Sequence, residues 1–149
     1  MVELLLTDII LRMGIATLLG AIIGLERQLH GITVGLRTNA LICLGAAMFT
    51  IISIQFSVLD SNADLARVAA GVVTGVGFLG AGAIFLNREG LHGFTTAANI
   101  WVVAALGMMI GIGEVLVSII GAAFILLVLV AGKLLETKVI VNSKKLTKK

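Results

Sequence analysis

The sequence is short of the charges that a water-soluble domain needs. Only 13% of its 149 residues are charged, about half the share of roughly 25% that is usual in soluble domains. Hydrophobic residues make up 59%, against roughly 45–50% in a typical soluble domain even when glycine is counted. So few charges could not cover so much apolar surface in water. The composition excludes a disordered chain and a soluble enzyme, and it predicts an integral membrane protein.

Proline is absent, and cysteine occurs only at position 43. A single cysteine cannot form an internal disulfide, which excludes a disulfide-stapled scaffold, and Cys43 lies in an apolar run where cysteine is commonly a small buried hydrophobe. Without proline, no hydrophobic stretch carries the break that marks the discontinuous helices of some transporters. Glycine, with 18 residues, is instead the residue that interrupts the apolar stretches.

Five apolar stretches are long enough to cross a hydrocarbon core of roughly 30 Å as helices, which takes about 20 residues each. They cover residues 4–25, 38–57, 67–87, 94–112 and 115–133. The first contains Asp8 and Arg12, whose i, i+4 spacing lets them pair on one face and whose charges argue against a secretory signal peptide. Only Gly113 and Glu114 separate the last two spans, so these must be antiparallel neighbours. We predict an all-α bundle of five transmembrane helices in residues 1–135, followed by a basic cytoplasmic tail at 136–149.

Positive charge is divided unevenly between the two sides of such a bundle. If the lysine-rich tail lies inside, Arg27, Arg37 and Arg88 lie inside with it, and only Arg12 and Arg67 lie outside. The positive-inside rule therefore selects an N-out, C-in orientation. In a soluble protein such a tail would bring nucleic acid to mind. Here we expect it to lie beside anionic lipid, with the bilayer and not a nucleic acid as its partner.

The loop between the first two spans holds the most telling charge. Glu26 directly follows an uncharged run from Met13 to Leu25, and a carboxylate at that depth is costly without a partner. Arg37 is its natural partner, because the loop folds the first span back onto the second. Glu26 therefore either holds an arginine or binds a cation, and magnesium is the cation that oxygen ligands suit. We treat Glu26 as the candidate metal ligand, although one carboxylate is few for a divalent ion.

The fourth span opens with further polar residues. His92, Thr95 and Asn99 follow i, i+3, i+7 spacing and share one helical face. Asn99 either makes an interhelical hydrogen bond or, with Thr95, Glu26 and Arg37, lines a polar pocket between spans one, two and four. Lone His92 lacks the companions of a zinc site. The predicted functional polar cluster comprises Glu26, Arg27, Arg37, Thr38, Asn39, Arg67, Thr95, Thr96 and Asn99. Thr38 and Asn39 have the alternative of capping the second span.

Glycines recur at the spacing that lets membrane helices approach closely. Gly20 and Gly24, and likewise Gly71 and Gly75, are separated by three residues, and without a side chain two helix backbones can pack tightly. We predict a third span tightly packed by glycine, with a groove or a self-association face as the alternative. The predicted helix-packing residues are Gly20, Gly24, Gly71, Gly75, Gly77, Gly80 and Gly82.

Several motifs recur in a familiar order along residues 10–132. They are GAIIGLERQ at 20–28, GLRTN at 35–39, RVAA at 67–70, GVGFLGAG at 75–82 and GFTTAA at 93–98, together with Trp101. In these motifs the chain resembles the bacterial MgtC/SapB family. The resemblance implies an inner-membrane domain linked to magnesium limitation and stress adaptation, including acid stress and survival inside phagocytes. The characteristic residues that it implies are Glu26, Arg27, Arg37, Thr38, Arg67 and Thr95.

The chain departs from that family in three places. Many members carry a soluble C-terminal domain, whereas here we expect only the lysine-rich tail after the last span. Virulence-type members often have asparagine in place of Thr95 and glutamine in place of Gly71. These departures favour a plainer SapB-like member over the role described for one virulence member, which binds the proton-translocating ATP synthase.

Taken together, the residues and the resemblance predict a multi-pass protein of the bacterial cytoplasmic membrane that is not an enzyme. No acid pair, nucleophile–base spacing or metal cluster stands out in the sequence, so we predict no catalytic residue and no cofactor. We expect a regulator of magnesium, phosphate or proton homeostasis that acts on a partner membrane protein, with homo-oligomers as a further possibility. The alternative is a small cation transporter or channel that uses Glu26 and the polar residues of the fourth span.

Overall fold

A computed structural model describes residues 5–59, 64–87 and 90–146, with the side chains of Asn87 and of 136–146 left aside. Residue 4 of the predicted first span, Arg88 and residues 147–149 lie outside the described residues. Within these ranges the chain forms five helices and one short hairpin. The elements are α1 (Leu6–Leu29), α2 (Leu36–Leu59), α3 (Leu65–Gly82), β1 (Phe85–Asn87), β2 (Gly90–His92), α4 (Phe94–Ile112) and α5 (Val115–Leu146).

All five of these helices are long and apolar enough to cross a membrane. The protein is therefore a multi-pass, all-α membrane protein, as predicted. Helix α1 extends four residues past the predicted end at residue 25, because the polar residues 26–28 and then Leu29 continue the helix. Helix α5 has 32 residues, a length of roughly 48 Å, which exceeds the hydrocarbon thickness of roughly 30 Å. Helix α5 thus continues into residues 136–146 of the segment predicted as a tail.

The prediction of a third span reaching residue 87 is wrong at its end. Helix α3 stops at Gly82, and the apolar residues that follow enter an antiparallel hairpin that pairs Phe85 with His92. The chain turns sharply on each side of β2, since Gly90 has a φ of +121° and Gly93 a φ of +97°, values that side-chain-bearing residues rarely adopt. Hydropathy alone could not separate the start of this hairpin from the helix, because residues 83–86 are as apolar as the helix before them.

Helix α4 lies at the centre of the bundle and contacts each of the other four helices. Its buried residues Val103, Leu106 and Ile110 join side chains from α1, α2 and α5 in the core. Ile100 joins Ala46 of α2 and Val76 of α3 in a second cluster. Burial within the chain reaches 44% of the apolar window of α4 but only 6% of that of α3. Helix α3 is therefore attached to the outside of the bundle.

The end of the bundle opposite the loop 30–35 is closed by charged side chains. Asp8 and Arg12 pair at 2.6 Å, which confirms the predicted contact. Arg12 also donates to the carbonyl of Gly111 at 2.7 Å, so a guanidinium lies at the C-terminus of α4, where positive charge is favourable. The predicted tight connection is confirmed as well, because α4 and α5 are joined through Gly113, with a φ of +100°, and Glu114.

Candidate functional site

Glu26 is buried in the last turn of α1, and its partners come from its own helix. About 10% of its side chain is exposed, and Arg27 Nη1 lies 3.7 Å from its Oε2. His30 Nδ1 lies 2.8 Å from Oε1 and 2.9 Å from the Glu26 carbonyl oxygen, and only the approach to the carbonyl has hydrogen-bond geometry. The predicted pairing of Glu26 with Arg37 is wrong, because Arg37 is exposed and no ion pair joins the two.

Asn39 and Asn99 form a polar link between α2 and α4. Asn99 Nδ2 donates to Asn39 Oδ1 at 2.7 Å, and both residues are almost completely buried. Asn39 Nδ2 in turn donates to the carbonyls of Val34 and Gly35, each at 2.9 Å. Of the two predictions for Asn99, the structure shows the interhelical hydrogen bond. The pair fixes how the loop, α2 and α4 sit together.

Neither Thr38 nor Asn39 caps α2, which begins earlier, at Leu36. The cap comes from α1, since Gln28 Oε1 accepts a hydrogen bond from the Leu36 N–H at 3.2 Å. Sequence reasoning missed this role of Gln28. No spacing signal could have shown it, because donor and acceptor meet only when the loop folds back.

A cavity of about 620 Å³ opens at the end of the bundle where α1 ends and α4 begins. Its walls come from the last residues of α1, the hairpin, the first turn of α4 and α5 near Gly132. The polar residues that line it are Arg27, His30, His92, Thr95, Thr96 and Lys133. The prediction that the pocket lies between spans one, two and four is thus wrong about its walls. The hairpin and α5 line it in place of α2.

His92 is held at this cavity by the hairpin. Its ring stacks on Phe85, its strand partner, with ring centroids 5.8 Å apart. His92 Nε2 is buried and has no hydrogen-bond partner among the described residues. Thr95 is exposed and Thr96 half-buried on the same wall. The structure therefore brings Arg27, Thr95 and Thr96 of the predicted polar cluster to one cavity, and Glu26 lies beside Arg27 outside its wall.

Three other members of that cluster lie elsewhere. Arg37 is exposed near the start of α2, and Thr38 lines a groove between α2 and α3. Arg67 is exposed at the far end of the bundle, where α3 begins. The start of α3 is capped by Asp64, whose carboxylate accepts from the Ala66 N–H at 3.0 Å. Arg67 is therefore remote from Glu26.

The predicted packing glycines fall into two groups. A Cβ built at Gly20 or Gly24 would lie 2.7 Å from atoms of α2 or the residue before it, so α1 and α2 cross there in backbone contact. At Gly71 and Gly75, and also at Gly77 and Gly82, no atom elsewhere in the described chain lies within 4 Å of such a Cβ. Gly80 makes an ordinary contact with Ala97. The prediction of a third span tightly packed by glycine is therefore wrong within the described chain.

A second pair, which the sequence reasoning missed, packs α4 against α2. A Cβ at Gly107 would overlap the Cys43 carbonyl oxygen, and one at Gly111 would lie 2.6 Å from Thr50 Cβ. The spacing of three intervening residues was visible in the sequence. The open face of α3, by contrast, borders a groove of about 740 Å³ that is lined by residues such as Thr38, Phe49, Gly71 and Gly75.

Glu26 has few possible metal ligands beside it. Among the described residues no group of three or more histidine, cysteine, aspartate or glutamate side chains lies together. Around the carboxylate stand Arg27 and His30 rather than other oxygen ligands. A hard divalent ion held here would have to keep several water ligands.

Comparison with known proteins identifies the family of this chain. A family model described as the MgtC family matches residues 13–138, which include α2, α3 and α4 and most of α1 and α5. The chain belongs to the MgtC family. The resemblance read from the glycine, arginine and threonine motifs is thereby confirmed. No solved structure matches the chain.

Curated relatives of the MgtC family share more than two-fifths of the aligned residues. "Putative magnesium transporter YhiD" of Escherichia coli strain K12 is 44% identical over 82% of this chain and 59% of its own length. "Protein MgtC" of Brucella abortus strain 2308 is 42% identical over 76% of this chain and 46% of its own length. "Protein SrpB" of Synechococcus elongatus is 43% identical over 84% of this chain and 75% of its own. The chain thus spans about half the length of the first two relatives, 59% of one and 46% of the other.

Proposed function

We propose that this MgtC-family chain is a non-enzymatic regulator of magnesium-linked ion homeostasis that acts by binding a partner membrane protein. We place it in the bacterial cytoplasmic membrane, N-out and C-in, on the charge distribution of its loops and the bacterial origin of its relatives. The observation that carries the proposal is the open glycine face of α3.

Helix α3 is apolar along its length yet largely unburied within the chain. Gly71 and Gly75 lie one turn apart on the wall of the groove between α2 and α3, and nothing elsewhere in the described chain approaches them. Glycine lowers the stability of a helix by about 1 kcal/mol relative to alanine. Two glycines on one unoccupied face are therefore unfavourable unless another backbone approaches them.

The occupant best suited to this face is a transmembrane helix of another protein. The groove lies between two membrane-spanning helices, so its occupant must be apolar. Lipid chains would pack against any small apolar residue, whereas a helix gains van der Waals contact and backbone proximity from glycine in particular. Binding through α3 would also leave the packed core around α4 undisturbed.

The test is a photo-crosslinking and growth experiment in a bacterial strain that depends on this chain at low magnesium. A photoreactive residue at Leu79, on the groove, should crosslink a second membrane protein, and Gly71→Leu with Gly75→Leu should abolish both the crosslink and growth. Gly77→Leu is the matched control, because Gly77 is equally open but lies off the groove. Unchanged growth and crosslinking in the double variant would refute the proposal, and a crosslink to a second copy alone would replace the partner by self-association.

Transport is the second candidate, and the buried carboxylate of Glu26 favours it. A membrane-embedded acid is commonly part of an ion pathway, and the name of the Escherichia coli relative describes a magnesium transporter. The measurement is magnesium and proton flux into proteoliposomes that contain the purified chain. Flux that Glu26→Gln abolishes in a folded variant would establish transport and overturn the regulator. Folded protein without flux under either gradient would support the regulator.

A further inference from the structure

The cavity at the start of α4 is rich in hydrogen-bond donors. Arg27 and Lys133 bring cationic side chains to its walls, Thr95 and Thr96 bring hydroxyls, and His30 and His92 bring ring nitrogens. No aspartate or glutamate side chain of the described residues lines it. A cavity with this composition is suited to an anion and ill suited to a cation.

The N-terminus of α4 adds its own positive end to the same wall. The helix has 19 residues and begins after Gly93, which offers no side chain to cap the first turn. Gly93, Phe94, Thr95 and Thr96 all line the cavity. The first N–H groups of a helix have no partner within the helix, and together with its dipole they favour a negative charge placed there.

Two side chains at this cavity, Arg27 and His92, each carry a buried nitrogen that has no hydrogen-bond partner in the described chain. Within the described residues, Arg27 is 8% exposed, its Nε makes no hydrogen bond, and the Glu26 carboxylate lies 3.7 Å from its Nη1. His92 Nε2 is likewise buried without a partner in the described chain. Buried polar groups are nearly always hydrogen-bonded, since an unsatisfied one costs free energy. Both residues line the cavity, so an anion bound there would lie beside both side chains.

The Glu26 carboxylate does not supply the missing hydrogen-bond acceptor. It is buried beside Arg27 and His30 and is not part of the cavity wall. At 3.7 Å it is beyond hydrogen-bond distance of the guanidinium. It therefore holds Arg27 in place electrostatically without accepting a hydrogen bond from it, and the buried Nε–H keeps no partner in the described chain.

We infer that this cavity binds a phosphate group. Arginine forms paired hydrogen bonds with phosphate oxygens, and threonine hydroxyls and helix N-termini add donors to the same type of ligand. The cavity opens where the apolar runs of α1 and α5 give way to charge, which is the depth of lipid headgroups. The phosphate can therefore belong to an anionic lipid headgroup or be free inorganic phosphate. The inference does not rest on the α3 groove.

Binding to the purified full chain tests this inference with two probes. Equilibrium dialysis with radiolabelled inorganic phosphate measures the free anion, and native mass spectrometry with phosphatidylglycerol measures the lipid. We expect the wild-type chain to bind one of them and Arg27→Gln to weaken that binding by about tenfold or more, as loss of a charged hydrogen bond implies. The double variant Thr95→Val with Thr96→Val should weaken it several-fold. Which probe binds identifies the source of the phosphate.

Matched controls separate a built site from general charge attraction. Arg67→Gln removes an exposed arginine at the other end of the bundle, and Thr74→Val removes an exposed threonine from α3, so neither should change binding. Absence of binding of both probes to the wild-type chain would overturn the inference, as would equal weakening by Arg67→Gln and Arg27→Gln. If Arg27→Gln does not fold, the threonine double variant decides, and unchanged binding there refutes the site.

Discussion

Two glycine pairs of identical spacing have opposite surroundings in this protein. Gly107 and Gly111 in α4 lie in backbone contact with α2, whereas Gly71 and Gly75 in α3 face an open groove. Both pairs lie in apolar helices of similar length, 19 and 18 residues. Spacing therefore identifies a face that can pack closely, but it does not say which helix packs there.

The difference comes from where each helix stands in the bundle. Helix α4 contacts all four other helices, so its glycine face is covered by a neighbour in the same chain. Within the described residues, helix α3 contacts only α2 and α4 to any extent, and its glycine face borders the open groove. The first pair thus stabilises the fold, and the second is available to another molecule.

The largest effect is expected from alanine in the covered pair. Gly107→Ala forces a Cβ into the Cys43 carbonyl, and backbone on both sides must move. Overpacking of this kind costs about 1–3 kcal/mol, more than the helix preference of alanine returns. Unfolding of the purified protein with a denaturing detergent, followed by the fluorescence of Trp101, measures the loss. Gly77→Ala is the control, and a Gly107→Ala protein as stable as wild type would contradict the packing.

An effect of similar size is expected at the polar link between Asn39 and Asn99. Asn39→Ala removes the acceptor of Asn99 and the two hydrogen bonds that Asn39 donates to the loop carbonyls. Since unmet buried groups cost about 1–3 kcal/mol, unfolding should become easier by an amount in that range. A double-mutant cycle with Asn99→Ala should give a coupling of about 0.6–1.7 kcal/mol. Strictly additive effects would show that the two amides do not interact.

The smallest effect on stability is expected in the open pair. Gly71→Ala and Gly75→Ala each place a methyl group in free space, so the isolated chain should unfold as before or gain up to about 1 kcal/mol from alanine. The same denaturing-detergent titration measures this. A loss of more than about 1 kcal/mol would mean that the α3 face is already packed, within the chain or between copies, and the comparison between the two pairs would fail.

The sequence was a good guide wherever one local property decided the outcome. The five spans followed from hydropathy and length, the Asp8–Arg12 contact from i, i+4 spacing, and the α4–α5 turn from the shortness of the connection. The sequence was a poor guide where a side chain had several possible partners nearby. Glu26 had Arg27, His30 and Arg37 as possible partners, and the helical geometry at the end of α1 selected the first two.

By itself, then, the sequence determined that the chain is a five-helix membrane protein of the MgtC family. It also determined that an acid is buried near one membrane boundary. Both follow because hydropathy and motif content are properties of the chain alone. Only the tertiary structure decided which glycine pair is covered, that α3 yields to a hairpin after Gly82, and that Arg27, His92 and the start of α4 share one cavity with α5. The physical reason is that each of these depends on which helices become neighbours. In a membrane that choice is made by shape and hydrogen bonding rather than by hydrophobicity, which all five helices share.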